Sequence, residues 1–394
     1  MTPVFVEASL SSSGTLSQLF KAGGGFVTCQ RAWTETSRHV TEVIEEEEGL
    51  ASLEPFWDKL LERSATRSPF LRWDWIWTWW RHFGEGRKLA VIVVRGHRGE
   101  VEAIAPFMLS KGDHGLRRHL RLLTWISGQG PVQGERMDAL VPLGREAEFG
   151  PLLSDALTHL PGHACHGVWL PMIPAESPNL DWLMKAVKSV CAGAGVAEKL
   201  ESRWLKLPNN WEEIEPGSQG RWRRRMRRKN ILFLQKHEGR RCEEGGGGAM
   251  DELARLHAFH WPKGRSHFVT DVAWGFHREL GARWLKSGRA LMPCLATPER
   301  GMVAALYGFA EGDEFSFYQH GWDPALARLS PGNLVLNWSM ELCSRRQMRL
   351  FDMLPGDQPY KAEWCRESRP LVSLEGFHPW NPKALLARWA RKMS

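Results

Sequence analysis

Most of the residues able to do chemistry together lie in one segment, Phe315–Trp364, which reads FSFYQHGWDPALARLSPGNLVLNWSMELCSRRQMRLFDMLPGDQPYKAEW. It begins as a strand, passes His320, Trp322 and Asp323, and enters a helix at Ser330-Pro331-Gly332. Ser and Asn suit helix starts, Pro fits the first turn and Gly admits close approach, so the amides of Gly332, Asn333 and Leu334 are expected to face outward. Orphan amides and the helix dipole both favour an anion, which is the physics of a phosphate cradle. An ordinary capped helix uses the same residues. Downstream, Asp352 closes a short strand, and Pro355-Gly356-Asp357 turns the chain into Tyr360, Lys361 and Trp364. Polar groups at a strand end before a glycine turn are held by a rigid sheet yet stay open to a ligand. Against this, Asp352 can cap the next turn, Lys361 can be a solvated side chain, and with 21 tryptophans in the chain core packing suits Trp322 or Trp364 as well as stacking does.

A second concentration of chemistry is electrostatic. The chain of 394 residues has 52 Lys and Arg against 45 Asp and Glu, a net charge of +7. Arg221, Arg223, Arg224, Arg225, Arg227, Arg228 and Lys229 carry seven charges in nine positions with no acid among them, which leaves the remainder balanced. A protein coating a polyanion along a broad face is therefore disfavoured, and one local anionic partner is favoured. Trp222, Met226 and Phe233 fall at spacings of four and seven, so one stripe of this helix docks on the protein while arginines cover the rest. Like charges at helical neighbour spacing repel and call for a counter-anion. The phosphates of a CoA, a nucleotide-sugar or lipid-phosphate acceptor, a tRNA acceptor stem or an anionic membrane would each serve, and a solvated face needs none.

The elements that must position these residues form two α/β series. Residues 1–48 are polar, with a GGG at Gly23 and an acidic run Glu45–Glu48, and are expected to be a flexible leader. Residues 49–208 form the first series. It contains a helix crowded with tryptophans after Ser68, a hairpin from Leu89–Val94 and Val101–Met108, and alternating strands and helices to Leu207. Residues 209–220 read as a linker, residues 221–378 as the second series, and residues 379–394 as an amphipathic tail. The helix after Ser68 can bury only part of Trp73, Trp75, Trp77, Trp79 and Trp80, so the cluster has two readings, core packing and a saccharide- or lipid-facing patch. Hydrophobic residues make up 43%, as in a folded soluble protein. No apolar run approaches the roughly 18 residues that span a bilayer, and the start lacks a basic region followed by an apolar stretch, so a cytoplasmic location is expected. Seven scattered cysteines without a C-x-x-C spacing signal neither a disulfide framework nor a metal site.

The pattern H-G-W-D-P, then L-S-P-G, then F-D-x-L-P-G-D-x-x-Y-K-x-x-W resembles the GNAT-like acyltransferases of the CelD/BcsL type, first noted beside cellulose and exopolysaccharide biosynthesis genes. The resemblance covers about Leu50 to Glu375 and includes the S-P-F-x-x-W-x-W segment, L-R-L-L near Leu120 and the run R-W-R-R-R-M-R-R-K. It implies an α+β fold of two GNAT-like lobes with a cleft between them, similar to Fem aminoacyltransferases, each lobe a mixed, mostly antiparallel sheet flanked by helices. It implies acyl transfer, with acetyl-CoA or another acyl-CoA as co-substrate and no metal, to an amine or hydroxyl of an amino sugar or envelope glycan precursor. The strand Phe315–His320 would splay from its neighbour, and the donor diphosphate would lie on Ser330, Gly332, Asn333 and Leu334. The segment departs from the family cradle Q/R-x-x-G-x-G/A at Leu329 and Leu334, with Arg328 one position early. Attack on a carbonyl needs a base, an oxyanion holder and an acid. By the resemblance Lys361 holds the oxyanion; Asp352 or His320 is the base with Asp323 as its orienter, and Tyr360 is the acid. Trp322 and Trp364 would stack on a sugar or adenine, and Arg221, Arg224, Arg225 and Arg228 would bind anionic substrate. The alternatives are aminoacyl-tRNA-dependent transfer and a non-catalytic module on nucleic acid or anionic membrane.

Overall fold

The computed structural model describes residues 9–10, 16–22, 25–31, 39–113, 115–160, 165–211, 220–246, 248–260, 268, 270–356, 358–383, 385 and 389. The chain forms two compact units, Met1–Lys199 with Pro370–Ser394, and Leu200–Arg369. Both boundaries fall inside strands, Ala192–Lys206 and Glu367–Phe377, whereas the expected linker 209–220 lies within the second unit and is described only at its ends. The fold is α+β, with mixed, mostly antiparallel sheets and flanking helices.

In the first unit, apolar β-branched runs make the expected hairpin: Val91–Gly96 pairs with Val101–Ala105, and His39–Ile44 adds antiparallel to its other side. The end of the leader is thus built into a sheet, and Leu16–Ala22 pairs with Gly25–Arg31 ahead of it. A second sheet layer runs from Phe107–Lys111 to Arg121–Trp125, then in parallel to Gly167–Pro174, then antiparallel to Leu371–Phe377. The parallel step is spanned by helix Glu146–Thr158, as the long crossover of a parallel pair requires. In the tryptophan helix Trp73–Phe83 core packing is the reading that holds. Trp73, Trp75, Trp79 and Trp80 are buried, and the half-buried Trp77 stacks on Trp73 at 5.4 Å. The Trp79 indole Nε1 donates to the Val132 carbonyl at 2.6 Å, so burial of that ring carries little polar cost.

In the second unit the strand order is Arg240–Cys242, Cys294–Thr297, Gly301–Glu311, Glu314–Trp322, Leu350–Pro355 and then Ser202–Lys206. All joints are antiparallel except that between Glu314–Trp322 and Leu350–Pro355, which is parallel and bridged by helix Pro331–Arg345. The core beneath is apolar: Phe233, Leu306, Phe315, Leu334, Phe351 and Trp364 are among its members. Helix Gly220–Lys236 docks through Met226 and Phe233 as its spacing predicts, while Arg224, Arg225, Arg227 and Arg228 stay exposed. The side chains of Arg221, Trp222 and Arg223 lie outside the described residues. No helix of the described residues is long and apolar enough to cross a membrane, and no group of metal-ligating side chains occurs among them.

Candidate active site

The one parallel joint of the second unit opens. Glu314, Phe315 and Ser316 pair with Leu350, Phe351 and Asp352, and the ladder then stops although the strands run on to Trp322 and Pro355. Leu354 takes a left-handed conformation, φ 58°, which re-aims the end of its strand. The edge of Phe317–Trp322 is thereby left without its parallel neighbour.

Helix Pro331–Arg345 starts beside this opening. Ser330 is left-handed (φ 54°, ψ 58°) and its hydroxyl does not cap the helix. Instead it accepts from Lys229 Nζ at 2.5 Å, which ties the basic helix to the first turn. Gly332 and Asn333 occupy first-turn positions whose amides have no intrahelical acceptor. Leu334 does not join them, because its amide donates to the Ser330 carbonyl at 3.0 Å and its side chain is buried. Gly332 is needed for a reason other than ligand approach alone: a Cβ there would come within 2.9 Å of the Trp322 indole.

A cavity of about 230 Å³ lies at this point, and six of the residues singled out in the sequence line it: His320, Trp322, Ser330, Gly332, Asn333 and Tyr360. His320 stands edge-on to Phe317 at 5.3 Å and to Tyr360 at 5.9 Å. Burial, followed by the neighbouring His257, His260 and Lys361, pushes its pKa down to about 4, so its ring is neutral near pH 7. Burial pushes Tyr360 up to about 12, which keeps its hydroxyl protonated. Behind them, His257 Nδ1 meets the His320 carbonyl at 3.3 Å and His260 Nε2 meets the Trp322 carbonyl at 2.8 Å. These two histidines come from helix Ala249–Ala258 and its end, and no motif in the sequence pointed to them.

The other candidates lie elsewhere. Asp352 is fully buried; its carboxylate accepts from Ser202 Oγ at 2.6 Å, from the Leu354 amide at 2.8 Å and from the Arg369 guanidinium. Burial works against the charge of Arg369, but Asp352 and Glu314 outweigh it and raise its pKa. Asp352 is thus an ion-pair member that holds strands together, not a carboxylate facing ligand. Asp323 does not orient His320. It caps the turn Pro324–Leu329 by accepting from the Ala325 amide at 2.9 Å and pairs with Arg300 at 3.3 Å. Lys361 is buried, and its ammonium donates to the carbonyls of Leu354 and Pro355 at 2.9 and 2.8 Å. Arg328 is exposed on the turn and does not line the cavity, Leu329 belongs to the core, and Trp364 is a core residue, not a stacking surface. Lys229 was legible only as one charge of seven.

The splayed parallel pair, its crossover helix and the cavity at that helix's first turn all lie within residues 220–362, which match a family described as Acetyltransferase (GNAT) domain. Among solved structures, the chain is similar to FemX, with a TM-score of 0.54 at 10% identity over 82% of this chain and 96% of that one. It is also similar to a conserved protein of unknown function from Bacteroides thetaiotaomicron VPI-5482, with a TM-score of 0.53 at 9% identity over 85% and 99%. At these identities the likeness is one of fold. No curated protein matches by sequence.

Proposed function

We propose that the second unit transfers an acyl group, acetyl in the simplest case, from an acyl-CoA to an amine or hydroxyl of an amino sugar or envelope glycan precursor in the cytoplasm. The observation that carries this is the cavity in which a neutral His320 and a protonated Tyr360 share walls with the first turn of helix Pro331–Arg345. The acceptor's lone pair attacks the thioester carbonyl, and the ring of His320 takes the proton that the acceptor loses. The tetrahedral oxyanion is held by amides on the open edge of Phe317–Trp322. Collapse expels the CoA thiolate, to which Tyr360 returns a proton. Lys361 acts as a positioning residue, since its two carbonyl bonds fix the end of the neighbouring strand. Gly332 and Asn333 offer amides to the donor diphosphate, with Lys229 and Arg225 supplying charge where the family's Gln or Arg is replaced by the buried Leu329. The glycan acceptor rests on the CelD/BcsL resemblance. Acetyl-CoA should raise the melting temperature, and Gly332→Trp, which fills the cavity, should abolish the shift. Failure of every acyl-CoA to stabilise the protein at millimolar concentration would sink the donor assignment.

A second reading is favoured by a specific observation: Arg224, Arg225, Arg227 and Arg228 are exposed on the helix that carries Lys229 to Ser330. An aminoacyl-tRNA donor would lay its phosphates along them. Charged tRNA should then bind with a steep salt dependence that Arg224→Glu with Arg228→Glu removes. Binding of tRNA without any acyl transfer would point to the non-catalytic module.

A further inference from the structure

The first unit holds a larger cavity, about 560 Å³, with no counterpart in the chemistry above. Its floor is one row across three neighbouring strands: Leu109 faces Leu123, and Leu123 faces Val168. Cross-strand partners share a face, so the row is continuous and apolar. The roof comes from the C-terminal ends of helices Glu146–Thr158 and Leu180–Val190, where Leu157 and Val190 line the space.

Residues two positions along a strand return to the same face. Stepping outward from the apolar row therefore gives Lys111 from Leu109 and Arg121 from Leu123. Lys111 and Arg121 are register partners and form a cationic pair at the edge of the same face; the His166 amide donates to the Arg121 carbonyl at 2.7 Å and its ring Nδ1 accepts from the Arg121 amide at 2.6 Å, so this histidine braces the pair and burial, then Lys383, lowers its own pKa. Lys383, which is exposed, adds its field to His166. His378, itself a lining residue, donates its amide to the His166 carbonyl at 2.9 Å. No ion pair to an acid occurs for Lys111, Arg121 or Lys383 among the described residues, and Glu45, at the rim, is the one acid among the lining residues. A cavity with an apolar floor, flanked on the same sheet face by cations that have no acid partner among the described residues, complements an amphiphile with one chain and one anionic head.

We propose that this cavity binds a fatty carboxylate, its chain on Leu109, Leu123 and Val168 and its head on Lys111, Arg121 and Lys383. The binding is independent of acyl transfer by the second unit. Calorimetric titration of the full chain with dodecanoate below its micelle concentration should give one saturable site per chain. Val168→Phe, which narrows the floor, should weaken it by about tenfold or more. Lys383→Glu, at an exposed position that cannot unfold the protein, should weaken it by about fivefold and narrow its advantage over dodecyltrimethylammonium. Absence of a saturable site, equal affinity for the cationic amphiphile in the wild-type chain, or a dodecanoate affinity unchanged by Lys383→Glu would each overturn the proposal.

Discussion

At the residue scale the proposed mechanism turns on His320, whose ring is kept uncharged by the surroundings that also place it beside Tyr360. A base must be neutral to accept a proton, so kcat/KM should stay flat down through pH 6 and fall only as pH approaches about 4, well below the ordinary histidine range. A pH–rate profile that breaks near 6.5 would remove His320 from that role. His320→Ala should lower kcat by roughly 10²–10⁴ with little change in donor affinity, and Tyr360→Phe should lower kcat less where the leaving thiolate finds water. The same ring, together with His277 at about 3, bears on stability. Both are held below their unfolded value, so the unfolded chain binds more protons between pH 6.5 and 4. Stability therefore falls as pH drops through that window, by about 1 kcal/mol per pH unit per histidine, and denaturant midpoints at pH 7 and pH 5 measure it. His320, Tyr360 and the Ser330–Asn333 turn were legible because they fall within one short segment. The partners that take Asp352 and Asp323 out of the cavity were not, since Ser202, Arg369 and Arg300 are brought in by folding from outside that segment.

At the scale of elements, the periodicities of the sequence located the basic helix and the crossover helix, but not why glycines sit where two elements touch. Gly321 lets helix Ala249–Ala258 lie flush on the splayed strand: a Cβ would come within 2.5 Å of the His257 amide nitrogen, a backbone atom that cannot swing aside. Gly321→Ala should therefore destabilise by roughly 1–3 kcal/mol and displace His257 and the strand behind His320, lowering kcat as well. Gly332→Ala differs, because its Cβ meets the side chain of Trp322, which can shift; donor KM should rise with a smaller loss of stability. Buried charge gives the sharper contrast. Asp352→Ala strips Arg369 of one of its two carboxylates, and leaving that guanidinium under-compensated should cost about 3–5 kcal/mol in chemical denaturation. Asp352→Asn, which keeps the shape and acceptor oxygen, should recover part of the stability and most of the specific activity. An inactive yet fully stable Asp352→Asn would instead return Asp352 to the chemistry.

For the whole molecule, the excess charge of +7 and the order of the chain make separate statements. The excess resides in residues 221–229, so reversing Arg224 and Arg228, which takes that segment from 7 positive charges to 7 − 4 = 3, should weaken the salt-dependent part of donor affinity, while charge reversals elsewhere in the chain should change it little. The chain's order has a less obvious consequence. Residues 370–394 come after the acyltransferase domain in sequence but belong to the first unit, where Leu371–Phe377 pairs antiparallel with Gly167–Pro174 along Val168, Leu170 and Ile173. Contiguous series of elements in the sequence hid this return, since a strand carries no signal of which earlier strand it pairs with. Removing residues 370–394 should therefore strip a ladder from the first unit and bare its buried apolar row, while every pairing of the splayed strand Glu314–Trp322 is retained. Hydrogen exchange on such a truncation should show protection lost in residues 167–174 and kept in residues 301–322. Equal loss in both would mean that the two units unfold as one cooperative block.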